Sequence, residues 1–112
     1  MRNALIRLSE DEPRLPGLVS ACKSELQASE VWLFGSRARG DARPESDWDI
    51  LVVIPDDAPA AVEAMRSLWE IRRASGMVAD LLTVRSDDFR AARDCVNTIS
   101  HAVAREGLRL DA

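Results

Sequence analysis

Apolar side chains recur at helical spacing in three stretches of the chain, which predicts three main helices. The predicted helices cover residues 13–29, residues from 57 or 58 to 75, and residues 86–106. The last of them carries one apolar stripe, which we expect to lie in the core: Phe89, Ala92, Val96, Ile99 and Val103. The glycines at positions 76 and 107 are natural helix ends.

Short apolar runs between these helices predict strands, because they are rich in β-branched residues and are bounded by turn-forming ones. The predicted strands are residues 31–34, 47–54 and 77–84. Residues 37–41 favour a short helical turn and residues 42–46 a loop. The order helix, strand, short helix, strand, helix, strand, helix predicts an α/β sheet covered by helices and leaves the strand directions open.

Length and composition narrow the class of protein. The 112 residues predict a single domain spanning 1–112, and 46% hydrophobic residues with a net charge of -4 exclude global disorder. The longest strongly apolar run, residues 50–54, is far shorter than the ~20 residues of a membrane-spanning helix. Acidic residues follow the N-terminus too soon for a signal peptide, so we expect a cytoplasmic protein without a membrane partner.

The cysteine, histidine and arginine side chains offer further candidates for chemistry. Cys22 and Cys95 each fall on the apolar side of a predicted helix, which favours small buried thiols in a reducing compartment. His101, the single histidine, is expected to be structural or exposed, because a lone histidine offers no ligand set. Arg37 and Arg39 could neutralise a triphosphate or bind RNA, or form a solvated face, and Arg39 is the better candidate for phosphate.

Gly35 and Ser36 follow the first predicted strand directly and precede the short helical turn. Free backbone N–H groups at such a turn, together with a serine hydroxyl, can hold an anion, and phosphate is the usual occupant. Glycine also lets the backbone approach the anion closely. The same dipeptide is common in plain turns, so this motif alone is weak.

Asp47 and Asp49 begin the second predicted strand, and alternation places both carboxylates on one face and Trp48 on the other. At about 4 Å and an effective dielectric constant of 20, two carboxylates repel by roughly 4 kcal/mol, which a divalent cation or a proton would offset. Mg²⁺ is the natural guest, since it binds one or two protein carboxylates together with substrate phosphates. The alternative is a solvated strand end.

Asp80 interrupts the otherwise apolar residues 78–82 of the third predicted strand. Such exceptions often mark functional sites, although a charge on an edge strand can also serve to discourage aggregation. A phosphate cradle, paired carboxylates and a third carboxylate would together bind a nucleoside triphosphate and two metal ions. Such a site could activate an acceptor hydroxyl for an in-line displacement.

Residues 35–53, with Gly-Ser, a spacer and Asp-x-Asp on a strand, resemble the signature of the DNA polymerase beta-like nucleotidyltransferase superfamily. The short chain, the block Gly-Ser-Arg-Ala-Arg-Gly and residues 105–110 resemble the minimal nucleotidyltransferases, or MNT proteins. The likeness extends from about Val31 onward. It implies a small mixed β-sheet flanked by helices and one NTP held by Mg²⁺. Trp48 stands where the family often has an aliphatic residue, which affects packing more than chemistry.

The resemblance also implies residue roles. Gly35 and Ser36 would contact the triphosphate. Asp47 and Asp49 would bind both metal ions. Asp80 would bind the catalytic ion and help to deprotonate the acceptor.

The family transfers NMP from an NTP to an acceptor, with pyrophosphate leaving. MNT proteins are often encoded beside helical HEPN proteins, which implies an antitoxin that adenylylates a HEPN toxin partner from ATP, commonly on a tyrosine. The chain contains no tyrosine, so it cannot modify itself on one. The alternatives are an antitoxin that acts by binding alone and an NTP-binding subunit of an aminoglycoside-type transferase. The acidic net charge disfavours RNA as the acceptor.

Overall fold

The computed structural model describes residues 4–111. The helices are α1 (Ala4–Leu8), α2 (Leu15–Glu25), α3 (Ser36–Arg39), α4 (Met65–Ser75), α5 (Ser86–Ala92) and α6 (Ile99–Glu106), with a 3-10 helix at Ala60–Glu63 before α4. The strands are β1 (Glu30–Phe34), β2 (Trp48–Ile54), β3 (Ala79–Arg85) and β4 (Leu108–Arg109). None of the helices within 4–111 is both long and apolar enough to cross a membrane.

The four strands form one mixed sheet in the order β3-β2-β1-β4. β2 runs antiparallel to β1 and parallel to β3, and β4 pairs antiparallel with β1. This arrangement confirms the predicted small mixed sheet flanked by helices. It also brings the last residue of β1 and the first residues of β2 and β3 to the same end of the sheet.

Alternation along the strands divides the core between the two faces of the sheet. One face carries Trp48, Ile50 and Leu33 and packs against α2 and α4. The opposite face carries Leu51 and Val53 and is covered by Phe89 of α5 and Val103 of α6. Trp48 is 6% exposed, as expected from its predicted inward orientation.

The prediction of one continuous helix over residues 86–106 is wrong. The chain leaves helical geometry after α5, and Asn97 adopts φ 73°. Thr98 then begins α6, because its Oγ1 accepts a hydrogen bond from the His101 N–H. The break turns Val96 and Ile99 to the surface, where they are 71% and 51% exposed, so the predicted core stripe holds only in part.

Other expectations also need correction. The helix predicted to begin at 57 or 58 begins at Met65, because Pro59 and Ala64 have extended ψ angles of 145° and 139°. Cys22 is buried, and burial raises its pKa to about 12, but Cys95 is exposed on the surface that the helix break creates. Both thiols are free.

β4 was missed in the sequence because two residues carry no periodic signal. Asp111, which follows it, ties the end of the chain to β1 by accepting from the Val31 N–H at 3.0 Å. Burial by itself would raise the pKa of Asp111. Hydrogen bonds from Arg109, Val31 and Lys23 outweigh burial and lower this pKa to about 2.

Candidate active site

Gly35 forms the turn between β1 and α3, at the end of the sheet where the three strand ends meet. Its φ of 74° and ψ of -158° lie in a region essentially restricted to glycine. A Cβ atom at this position would collide with Oδ2 of Asp49. The sequence therefore needs glycine here twice, for the backbone angle and for the close approach of the carboxylate.

Asp49 lies at the centre of the candidate site. Its register partner is Phe34 on one side and Asp80 on the other, so the two carboxylates occupy neighbouring positions on parallel strands. Desolvation raises the pKa of Asp49, the charges of Asp80 and Asp47 raise it further, and the charge of Arg39 opposes them. The structure thus brings Asp47 and Asp80 within electrostatic reach of Asp49.

The Asp80 side chain is exposed, and β3 is an edge strand. This position fits the alternative of a protective edge charge, but that alternative does not account for the register with Asp49. A charge that only discouraged aggregation could stand anywhere along the outer face of β3. Asp80 stands instead at the one position of the strand that lies opposite Asp49.

Ser36 and Arg39 lie at the two ends of α3, with Gly35 as the residue before the helix. The carbonyl of Gly35 accepts the N–H groups of Ala38 and Arg39, which fixes the turn. Arg39 forms ion pairs with Asp41 at 3.3 Å and with Glu106 at 3.8 Å. Glu106, at the end of α6, was not predicted to lie near the site, because it is far from Arg39 along the chain.

Arg37 has a different role from its neighbour Arg39. Its guanidinium donates to the carbonyl oxygens of Ser46 and Pro44, at 2.8 and 3.1 Å, and lies 4.8 Å from the centre of the Trp48 ring. These contacts hold the loop that leads to Asp47. Arg37 is therefore a positioning residue of this loop, which none of its three predicted roles anticipated.

The donor set fits a hard divalent cation. Carboxylate oxygens are the ligands that Mg²⁺ prefers, and a cation would relieve the repulsion that raises the pKa of Asp49. In residues 4–111 no three possible ligands already surround a common point. A metal site formed by Asp47, Asp49 and Asp80 would therefore require these carboxylates to move closer together.

Comparison with known proteins identifies the family. The model of the nucleotidyltransferase domain family matches residues 15–103, which include all the site residues that the sequence predicted. The chain belongs to this family. The predicted identity of the domain as a nucleotidyltransferase is thereby confirmed. The end of the sheet described above is the candidate active site of this nucleotidyltransferase domain.

Solved structures share the fold of this nucleotidyltransferase domain. One is a crystal structure of a toxin-antitoxin with AMP-PNP, at 20% identity and a TM-score of 0.56, covering 89% of this chain and 72% of that chain. Another is a mutant of the toxin-antitoxin MntA-HpeT, at 18% identity and a TM-score of 0.58, covering 85% and 70%. No curated protein sequence matches the chain.

The role of Gly35 can be tested with a matched control. Gly35→Ala should lower the free energy of unfolding by about 2–4 kcal/mol, because it adds both backbone strain and a collision with Asp49. Gly40 also has positive φ, at 88°, but open space surrounds its Cβ position, so Gly40→Ala should cost only about 1 kcal/mol. Urea unfolding measures both variants. Equal losses would show that the contact with Asp49 is unimportant.

Proposed function

We propose that this domain transfers AMP from ATP to a hydroxyl group of a partner protein, in a reaction that depends on Mg²⁺. The partner is a helical HEPN-type toxin, and the modification makes the domain an antitoxin. The observation that carries the catalytic part of this proposal is the placement of Asp49 against Gly35 and opposite Asp80. This placement joins a phosphate-binding turn to paired carboxylates at one end of the sheet.

The nucleotide is held at the turn between β1 and α3. Gly35 allows the triphosphate to approach the backbone, and the hydroxyl of Ser36 donates a hydrogen bond to a phosphate oxygen. Arg39 adds positive charge to the site. Its charge acts on Asp49, whose pKa it lowers. These residues bind and orient the α-phosphate beside the carboxylates.

Two Mg²⁺ ions, held by Asp47, Asp49 and Asp80, would neutralise phosphate charge and stabilise the attacking and leaving oxygens. The acceptor hydroxyl oxygen forms a bond to the α-phosphorus, and the bond to the bridging oxygen between the α- and β-phosphates breaks. Asp80 takes the hydroxyl proton, and pyrophosphate leaves with the bond's electron pair. AMP is then joined to the acceptor oxygen.

The choice of a protein acceptor rests on two observations. Both structural relatives described above are toxin-antitoxin proteins, which supports a toxin as the partner. The chain has a net charge of -4, which disfavours a strong electrostatic grip on RNA. A protein partner can also hold its hydroxyl in line with the α-phosphate, and such positioning is worth up to about 7–11 kcal/mol.

ATP labelled at the α-phosphate tests the acceptor directly. With purified domain, HEPN-type partner and Mg²⁺, we expect label on the partner, at a hydroxyl residue that peptide mass spectrometry identifies as tyrosine. Label on RNA or on an aminoglycoside without the partner would contradict the protein acceptor. A stable complex that neutralises the toxin without any label would indicate an antitoxin that acts by binding alone.

Ser36→Ala tests the phosphate contact. Loss of a hydrogen bond to a charged phosphate should weaken ATP binding by about 1–2 kcal/mol. Ser24→Ala is a suitable control, because that exposed hydroxyl bonds only to the Ala21 carbonyl within its own helix. Calorimetric titration with ATP and Mg²⁺ measures both. Unchanged affinity in Ser36→Ala would remove the hydroxyl from the nucleotide site.

A further inference from the structure

Exposed apolar side chains gather around β3, the edge strand that carries Asp80. Val78 is 69% exposed and Leu82 39% exposed. Leu82 shares an open groove of about 460 Å³ with Ile99 of α6 and Leu68 of α4. An apolar surface of this kind beside a polar site is typical of a binding surface.

The side chains of this edge alternate strictly. Met77, Ala79 and Leu81 are buried against α2 and α4, whereas Val78, Asp80 and Leu82 are exposed. The candidate acceptor-activating carboxylate therefore lies in a row between two exposed apolar side chains. A segment lying along this row would therefore contact Val78 and Leu82 together with Asp80.

The backbone of β3 is suited to accept another strand. The Trp48 N–H donates to the Val78 carbonyl, so residues 78, 80 and 82 direct their backbone groups toward β2. Residues 79, 81 and 83 consequently direct theirs toward the open edge. An antiparallel strand added there would form non-hydrogen-bonded pairs opposite residues 78, 80 and 82, the pairs in which side chains approach most closely, with Cα atoms about 4.5 Å apart.

We propose that the edge of β3 is the docking site for an extended segment of the acceptor protein, added antiparallel to β3. The acceptor hydroxyl residue lies opposite Asp80, and apolar residues two positions before and after it pack on Val78, Leu82 and Ile99. This inference rests on the proposed function, since it assumes a protein acceptor. It deepens that function by naming the sequence around the modified hydroxyl.

The charge of the neighbouring helix adds a further feature to the partner segment. The outer face of α4 carries Arg66, Arg72 and Arg73, and only Glu70 opposes them, through an ion pair with Arg66. Arg73 also lies 5.2 Å from the ring of the half-exposed Trp69. Because α4 packs on the face of β3 opposite to Asp80, acidic residues at the alternate positions of an acceptor segment would complement these arginines.

Synthetic peptides of about nine residues, the length of a long strand, test the proposal. The first has acidic ends, a central tyrosine and leucines two positions before and after it, and the second has serines in place of the leucines. A third exchanges the tyrosine with its neighbour. With α-labelled ATP and Mg²⁺, the first peptide should be labelled at least about tenfold faster than the others. It should also slow hydrogen exchange at the amides of residues 79, 81 and 83.

Val78→Ser with Leu82→Ser should abolish the preference for the leucine peptide. The control Ile6→Ser changes another half-exposed apolar residue, on α1 beside β4 at the opposite edge of the sheet, and should keep the preference. The increase in melting temperature with Mg²⁺ and ATP should be the same in the wild-type protein, the double variant and the Ile6→Ser variant. This result would separate acceptor docking from nucleotide binding.

Several outcomes would overturn the docking site. Equal labelling of the leucine and serine peptides would do so. A second such outcome is that the partner protein is labelled, while no peptide is labelled and no peptide protects the amides of β3 from exchange. Protection of the three amides in the domain alone, with a dimer that Leu82→Ser dissociates, would assign the edge to a second copy instead. If neither the partner nor any peptide is labelled, the protein acceptor itself fails, and the docking site fails with it.

Discussion

Replacing Asp80 by asparagine should abolish nucleotidyl transfer while leaving most of the ATP affinity in place. Asp80 lies on the edge strand, opposite Asp49, on the side of the site away from Gly35. Its loss removes the proton acceptor of the attacking hydroxyl, a contribution of about 10²–10⁴-fold in rate, and also one carboxylate ligand of a metal ion. Single-turnover labelling of the partner should slow by at least about 10³-fold.

Calorimetry with ATP and Mg²⁺ completes this test, because it separates binding from transfer. Asp88→Asn is the matched control, since Asp88 is an exposed aspartate in the first turn of α5, outside the site. That variant should retain both binding and transfer. If Asp80→Asn loses ATP affinity as strongly as transfer, or loses neither, the assignment of Asp80 to the acceptor side is wrong.

Mg²⁺ with ATP should stabilise the folded domain, and Asp47→Asn should remove most of that stabilisation. Ligands that bind only the folded state add about 2.7 kcal/mol at a hundred times their dissociation constant, which raises the melting temperature of a domain of this size by roughly 10 °C. The asparagine removes a negatively charged ligand from the metal site. It also relieves repulsion on Asp49, so the variant without ligand should be at least as stable as the wild-type protein.

Thermal unfolding at several Mg²⁺ concentrations measures this effect. Asp88→Asn again provides a control, because Asp88 is an exposed aspartate in the first turn of α5 and is not one of the two carboxylates, Asp80 and Asp47, whose charges act on Asp49. An undiminished shift in Asp47→Asn would exclude this carboxylate as a metal ligand. The absence of any shift in the wild-type protein would place the nucleotide elsewhere or make its binding depend on the partner.

The sequence was sufficient to predict the elements that carry the candidate site. Gly35, Asp47 and Asp49 stand in one continuous motif, where alternation along a strand and the special backbone freedom of glycine are local properties. The orientation of Trp48 followed from the same alternation. The proximity of Asp80 was only an expectation, because it depends on β3 lying beside β2, which is a matter of topology.

The features that the sequence did not reveal depend on tertiary structure. The break between α5 and α6 arises because Thr98 caps a new helix within an apolar pattern that is compatible with one continuous helix. The exposure of Val78 and Leu82 arises because β3 is at the edge of the sheet, and an apolar run has the same appearance at an edge and at the centre. The ion pair between Arg39 and Glu106 joins residues far apart in the chain.

A crystal structure of the domain with Mg²⁺ and a non-hydrolysable ATP analogue tests the central claim most directly. We expect the triphosphate on the backbone of Gly35 and Ser36, and metal ions between the phosphates and the carboxylates of Asp47 and Asp49. The Asp80 carboxylate should face the α-phosphorus from the open edge of β3. A nucleotide bound elsewhere, or a triphosphate at the turn with no metal ion on Asp47 or Asp49, would contradict the proposed mechanism.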